Sequence, residues 1–171
     1  MMNKIVSTFI LAASVCILIG CKKKYSTVIC DTIGQKIEVD GCKDDSAQFT
    51  ILRYIENPSC TSCQLKLGEW KIYRRIMEKK FGDKVGFYFL CETKNIEEAN
   101  KLFKMYGFDK IAFVDSSINF YETHNLDPML GNDAVFLLDS SSTILSIGNP
   151  NENLEIDSLF NRIILGHFSQ K

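Results

Sequence analysis

Two cysteines, Cys60 and Cys63, stand three residues apart, after an apolar stretch and at the start of a long helical pattern. On the first turn of a helix, this spacing puts both sulfurs on one face, close enough to join or to share a ligand. Free N–H groups and the positive dipole end of such a turn favour a thiolate at Cys60, the nucleophile of disulfide exchange. Three interpretations are open: a redox couple, a structural disulfide, or half of a metal site. No second Cys-X-X-Cys or histidine pair supplies further metal ligands.

The first 20 residues have the pattern of a targeting segment. Lys4 precedes a nearly continuous apolar run over 5–19, which is shorter than the roughly 20 residues of a membrane-spanning helix. The run ends in Leu18-Ile19-Gly20-Cys21, which resembles a bacterial lipoprotein signal. The resemblance implies that Cys21 is lipidated and becomes the first residue of the mature chain. The alternatives are an uncleaved anchor and a signal peptide cut elsewhere.

A lipid on Cys21 would hold the domain at a membrane of the bacterial cell envelope, in the periplasm, where disulfides persist. The 171 residues, 46% hydrophobic and 24% charged, indicate one globular domain with appendages. The net charge of -1 and the lack of a basic stripe in the sequence argue against a nucleic-acid partner. We predict a signal peptide over 1–20, a segment over 21–46 holding lipidated Cys21, a tether and lead-in strands, and a core domain over 47–171.

Strands and helices alternate from residue 47 onward. Apolar and β-branched stretches predict strands over 49–55, 85–90, 111–114, 134–138 and 143–147. Helical patterns cover 63–81, 95–106, 116–124 and 154–165, with Gly166 ending the last. In the lead-in segment, 22–26 reads as a solvated basic tether, and 27–30 and 36–39 as weakly alternating edge strands. The order predicts an α/β fold in which helices cover both faces of a mixed sheet.

This order, with Cys-X-X-Cys after the first core strand, resembles the thioredoxin fold. Together with the lipoprotein signal, the strand over 134–139 and the exit Ile147-Gly148-Asn149-Pro150, it resembles the TlpA-like membrane-anchored thiol-disulfide oxidoreductases. The resemblance implies that Cys60 is the attacking thiolate and Cys63 the resolving thiol of a redox-active disulfide. It further implies a protein thiol or disulfide as substrate and a second redox partner. The sequence has no nucleotide, haem or flavin motif, so we predict no cofactor and no metal.

The chain departs from the family at two places. Ser59 precedes the first cysteine and Thr61-Ser62 separate the pair, where many thioredoxins have Trp and Gly-Pro. The family usually has a cis-proline before the penultimate strand, whereas here 131–134 reads Gly-Asn-Asp-Ala and Pro128 lies too early. Asp133 and Ala134 are therefore the substrate-groove candidates, and an inward carboxylate at Asp133 would raise thiol pKa values. These departures leave open a non-catalytic binding lipoprotein whose disulfide is structural.

Other residues carry secondary hypotheses. Cys91 ends the second core strand, and because parallel strands present their carboxyl ends at the same edge of a sheet, we expect it at the edge that carries the Cys60 segment. It is either a buried free thiol or a third redox cysteine. Cys30 and Cys42 could bridge the lead-in segment. Without Cys21, five cysteines remain in the mature chain, so at least one is free or bonded to another chain. His124 suggests a copper chaperone of the Sco type, although those proteins space their cysteines differently and put the histidine closer to the late hairpin.

Overall fold

The computed structural model describes residues 23–37, 47–56, 65–131 and 133–168. The strands are β1 Phe49–Glu56, β2 Val85–Glu92, β3 Ala112–Asp115, β4 Asp133–Asp139 and β5 Ile144–Ile147. The helices are α1 Lys23–Thr32, α2 Leu67–Phe81, α3 Ile96–Tyr106, α4 Phe120–Thr123 and α5 Leu154–Phe168, with 3-10 turns at Gly82–Lys84 and Pro128–Leu130. Within those four ranges, every helix is too short or too polar to cross a membrane.

The five strands form one mixed sheet in the order β3-β2-β1-β4-β5. β1 is central and runs parallel to β2 and antiparallel to β4, while β3 is parallel to β2 and β5 antiparallel to β4. Since β1 has neighbours on both sides, both of its backbone edges are hydrogen-bonded. The α/β prediction of a mixed sheet is therefore confirmed.

Both faces of the sheet are buried, because alternate residues of β1, β2 and β4 enter two separate cores. On one face, Ile51 and Phe89 pack with Trp70 of α2 and Phe160 of α5. The opposite core contains residues of the sheet, of α1 and of α4, including Leu52, Tyr54, Phe136, Val28 and Phe120. The prediction that helices cover both faces is therefore also confirmed.

The lead-in segment differs from its prediction. Helix α1 covers Lys23–Thr32, so the strand predicted over 27–30 is wrong. The reason is that a helix places Val28 and Ile29 where both are buried against the sheet. Farther on, Lys36 forms an isolated antiparallel bridge with Thr143, beside β5. That bridge is the described part of the predicted edge strand.

Two helix ends also differ from their predictions. The predicted helix over 63–81 is interrupted at Lys66, whose left-handed backbone (φ 44°, ψ 35°) directly precedes α2. At the other end of the chain, α5 continues through Gly166 to Phe168. The Phe168 ring packs edge-on against Phe49, with 6.1 Å between ring centroids. This contact offsets the cost of glycine inside a helix, about 1 kcal/mol.

Candidate functional site

The connection between β1 and α2 carries the cysteine pair. β1 ends at Glu56 and α2 begins at Leu67. Cys60 and Cys63 belong to the intervening sequence and lie outside the described residues, as do Cys21 and Cys42. β1 is the central strand and is parallel to β2, so its carboxyl end belongs to the edge where open α/β sheets usually bind ligands. The described residues at this edge form the surroundings of the candidate site.

One row of paired residues crosses the sheet at this edge. Ile55 of β1 pairs with Cys91 of β2 on one side and with Asp133 of β4 on the other. The next pair toward the sheet interior joins Tyr54 to Ala134, which is buried. The sheet thus brings both groove candidates, Asp133 and Ala134, and the third cysteine to the end of the strand that leads toward Cys60. The prediction that Cys91 shares this edge is confirmed.

Cys91 is a free thiol with no solvent exposure. Burial raises its pKa to about 11; the Arg53 charge opposes this shift, and the neighbouring Glu92 adds to it. The thiolate is the reactive form of cysteine, so a thiol that stays protonated at neutral pH is a poor nucleophile. Of the two hypotheses for Cys91, the buried free thiol is the one that the structure supports.

Arg53 lies in the core on the same face of the sheet as Cys91, and its side chain is 0% exposed. Its Nη1 donates a hydrogen bond to the Leu65 carbonyl oxygen, and its guanidinium carbon lies 5.1 Å from the centroid of the Trp70 ring. Arg53 was not among the residues predicted from the sequence. The available signal was a charged side chain in the middle of a strand predicted to be buried on both faces.

Acidic residues occupy the outermost row of the same edge. Glu56, Glu92 and Asp115 are paired in register across β1, β2 and β3. The Tyr54 hydroxyl donates a hydrogen bond to Glu92 Oε2 over 2.8 Å. The pKa of Tyr54 is raised above its ordinary value, first by burial and second by this hydrogen bond. Nearby carboxylates disfavour a thiolate, whereas the Arg53 cation favours one. The described charges at this edge therefore have opposing effects on a neighbouring cysteine.

The chain before β4 is held by hydrogen bonds. The Asp127 carboxylate accepts from the Met129 N–H over 2.8 Å at the start of the Pro128–Leu130 turn, and the Tyr121 hydroxyl donates to the Gly131 carbonyl oxygen. The described peptide bonds are all trans, including the one before Pro128. Pro128 is thus not a cis-proline of the family type, and Asn132 lies outside the described residues.

The copper hypothesis gains no support from the described residues. His124 follows α4, half-buried, with its Nδ1 3.0 Å from the Phe120 carbonyl oxygen and its ring 4.8 Å from the Phe120 ring. Over the described part of the chain, no three His, Cys, Asp or Glu side chains gather in a way that could hold a metal ion.

Cys30 of α1 is disulfide-bonded. The other cysteine in the described ranges, Cys91, is free. The disulfide therefore places a covalent cross-link on α1. The pairing of Cys30 with Cys42 stays a prediction.

Comparisons with solved structures bear on the fold. A domain of a possible thiol-disulfide isomerase from Cytophaga hutchinsonii is similar to this chain with a TM-score of 0.55 and 18% identity, over 79% of this chain and 96% of that one. A thioredoxin-like protein from Parabacteroides distasonis aligns with a TM-score of 0.51 and 13% identity, over 75% of this chain and 92% of that one. The chain has a thioredoxin-like fold.

A third thioredoxin-like neighbour is a candidate thiol-disulfide oxidoreductase from Bacteroides vulgatus, with a TM-score of 0.50 and 18% identity over 70% of this chain and 76% of that one. No protein-family model matches the chain, and no curated protein matches it. At these identities the likeness establishes the fold, and the chemistry has to be argued from the chain's own residues.

Proposed function

We propose that this protein is a membrane-anchored, extracytoplasmic thiol-disulfide oxidoreductase that exchanges electrons with protein partners through Cys60 and Cys63. The observation that carries the proposal is the position of the pair in the chain. In a thioredoxin-like sheet, the two cysteines belong to the connection that follows the carboxyl end of the central strand β1 and precedes α2. The lipoprotein signal ending at Cys21 supports the anchor and the compartment.

The exchange proceeds by two displacements. The Cys60 thiolate attacks one sulfur of a partner disulfide, forming a mixed disulfide and releasing the other partner sulfur as a thiolate. Cys63, once it gives up its proton to water or to the released thiolate, attacks the Cys60 sulfur and frees the second partner thiolate. Two electrons pass to the partner and the pair becomes a disulfide. The same steps in reverse oxidise a partner dithiol.

A second candidate function is a non-catalytic binding lipoprotein with the same fold. The observation in its favour concerns the chain before β4, where the oxidoreductases that this sequence resembles usually have a cis-proline. Here the peptide bond preceding Pro128 is trans, and the Tyr121 hydroxyl donates a hydrogen bond to the Gly131 carbonyl. In this alternative the Cys60–Cys63 bond is permanent and stabilises the fold. The two functions therefore differ in whether the pair forms mixed disulfides.

A trapping experiment separates the two candidates. The full chain carrying Cys63→Ser is produced in bacteria and exported to the cell envelope, where its proposed partners are. It is expected to accumulate mixed disulfides through Cys60, because the resolving thiol is missing. These adducts should run as high-mass bands on non-reducing gels and disappear with dithiothreitol. The double variant Cys60→Ser/Cys63→Ser is the matched negative control, and Cys91→Ser should behave like the parent because that thiol is buried.

Equal adduct formation by the single and double variants would contradict exchange through Cys60. Absence of any adduct in Cys63→Ser would favour the binding lipoprotein. The anchor is tested separately: Cys21→Ser is expected to move the protein out of the membrane fraction, and an unchanged membrane fraction would overturn lipidation at Cys21.

A further inference from the structure

Helix α1 has little stability of its own. It is ten residues long, Lys23–Thr32, and isolated helices shorter than roughly 12–15 residues are marginal in water. Its first turn has no acidic residue and its last turn no basic one, so the charges that usually stabilise helix ends are missing. Among its described side chains, only Val28, Ile29 and Thr32 are buried. The helix therefore depends on restraints from the rest of the chain.

α1 covers the chain that leads into β4. Val28 and Ile29 belong to the same apolar core as Leu130, and α1 contacts the Pro128–Leu130 turn. This turn comes shortly before Asp133, which begins β4 and is one of the substrate-groove candidates. A movement of α1 away from the sheet would therefore uncover apolar surface beside the candidate groove.

The chain just after α1 is fixed to the sheet by hydrogen bonds. The Gly34 N–H donates to the Ile144 carbonyl oxygen over 2.9 Å, and the Ile37 N–H donates to the Ser142 carbonyl oxygen over 2.9 Å. Gly34 has a φ of +93°, which glycine adopts without the strain that other residues would incur. The structure thus has a pivot at Gly34, between the helix and a stretch that stays bonded beside β5.

Cys30 adds a covalent restraint on the outer side of α1. It is disulfide-bonded and exposed, whereas the neighbouring Val28 and Ile29 are buried against the sheet. A disulfide is reduced through attack by a thiolate on one of its sulfurs, and exposed disulfides are more readily reduced than buried structural ones. The restraint on this helix is therefore one that a thiol can remove without unfolding the core.

We propose that this disulfide is a redox-sensitive latch: it joins Cys30 to Cys42, holds α1 over the Pro128–Leu130 turn, and releases the helix when it is reduced. The segment that contains Cys42 is fixed at both ends. Before it, Ile37 is hydrogen-bonded beside β5, and after it the chain enters β1 at Phe49. A bond from Cys30 to this segment restrains α1 against the sheet.

The reductant is a protein dithiol. Its thiolate attacks one sulfur of the latch, which forms a mixed disulfide and releases the other latch sulfur as a thiolate. The second thiol of the reductant loses its proton and attacks its partner sulfur in the mixed disulfide, which frees the second latch cysteine. Two electrons pass to Cys30 and Cys42, and the dithiol becomes a disulfide. Release of α1 needs no exchange at Cys60 and Cys63; only its effect on substrate binding rests on the proposed function.

Hydrogen exchange read by mass spectrometry tests the latch in the full chain. We expect peptides from α1 and from 126–131 to exchange at least about tenfold faster in Cys30→Ser than in the oxidised parent, because the helix loses its covalent restraint. Peptides from β1 should keep the parent's rate. Cys42→Ser should behave as Cys30→Ser does. The matched control is Asp31→Ser, which places serine at the next exposed position of α1, keeps the disulfide and should keep the parent's rates.

A second comparison does not depend on the folding of Cys30→Ser. In the Cys60→Ser/Cys63→Ser variant, dithiothreitol cannot act through the cysteine pair of the proposed function. Reduction of this variant should accelerate exchange in α1 and in 126–131, and reoxidation should restore the slow rates, as a reversible latch requires.

Unchanged exchange in α1 or in 126–131 after reduction would overturn the latch. Equal acceleration in β1 would overturn it too, because the disulfide would then stabilise the whole domain. Parent rates in Cys42→Ser would overturn the pairing with Cys42. The proposed function is tested separately by the Cys63→Ser adducts, so a failure of exchange and a failure of the latch give different results.

Discussion

Replacement of the buried thiol by Cys91→Ala should change how stability responds to alkaline pH. The thiol is fully buried, and its pKa rises from the ordinary value of 9.0 to about 11 in the folded chain. The unfolded chain therefore loses this proton first as pH rises. The stabilisation from the protonated thiol is complete below about pH 9 and is lost as pH increases toward 11.

The magnitude follows from the two pKa values. A shift of two units corresponds to about 2.7 kcal/mol when both states are fully ionised. At pH 10 the thiol is about nine-tenths ionised in the unfolded chain and about one-tenth in the folded chain, so the loss is about 1.4 kcal/mol. Burial also raises the pKa values of Tyr54 and Tyr73, which weakens the fold in the same direction. Those tyrosines are present in both proteins and cancel in the comparison.

The assay is urea unfolding of the parent and of Cys91→Ala at pH 7.5 and pH 10, with a phosphine reductant to prevent disulfide reshuffling. We expect the parent's advantage in free energy of unfolding over the variant to shrink by about 1.4 kcal/mol between the two pH values. Val135→Ala, a buried and non-titrating position in the same core, should keep a constant difference from the parent. A constant difference for Cys91→Ala would refute the buried-thiol assignment.

Two further substitutions test the packing that supports the site. Gly148→Ala should lower the free energy of unfolding by about 1–3 kcal/mol, since φ is +139° and a Cβ would lie 2.9 Å from Ile156 Cδ1. The control is Gly166→Ala on α5, where a Cβ meets open space, and it should raise the free energy of unfolding by up to about 1 kcal/mol. Tyr73→Phe removes the 3.0 Å bond to Asp157 and should cost about 1 kcal/mol by urea unfolding. A neutral Gly148→Ala or Tyr73→Phe would contradict the corresponding contact.

The sequence predicted the core domain well, because its strands are apolar on both faces and its helices have clear periodicity. β1 and β2 extend one or two residues beyond the predicted ends, where Glu56 and Glu92 still pair in register. The lead-in segment was harder to predict, because a short stretch such as 27–30 is too brief to separate period two from period 3.6. In the structure this stretch is helical, and Val28 and Ile29 are buried against the sheet.

The surroundings of the site were predicted in part. The shared edge of Cys91 and the cysteine segment follows from the parallel order of strands, and this prediction held. The hydrogen bond from Arg53 to the Leu65 carbonyl could not be predicted, since it joins residues twelve apart in the sequence, which gives no sign of such a bond. Lys66 gave no signal either, because a left-handed backbone usually marks glycine or asparagine.

The most direct test of the proposed function is a redox titration of the chain lacking residues 1–21 in glutathione and dithiothreitol buffers. Alkylation and peptide mapping would identify the cysteines that change state. The proposed function predicts a reversible Cys60–Cys63 couple between about −120 and −270 mV, the range of exchange catalysts. A couple well below about −300 mV, or no disulfide between these two cysteines, would contradict it and favour a binding lipoprotein.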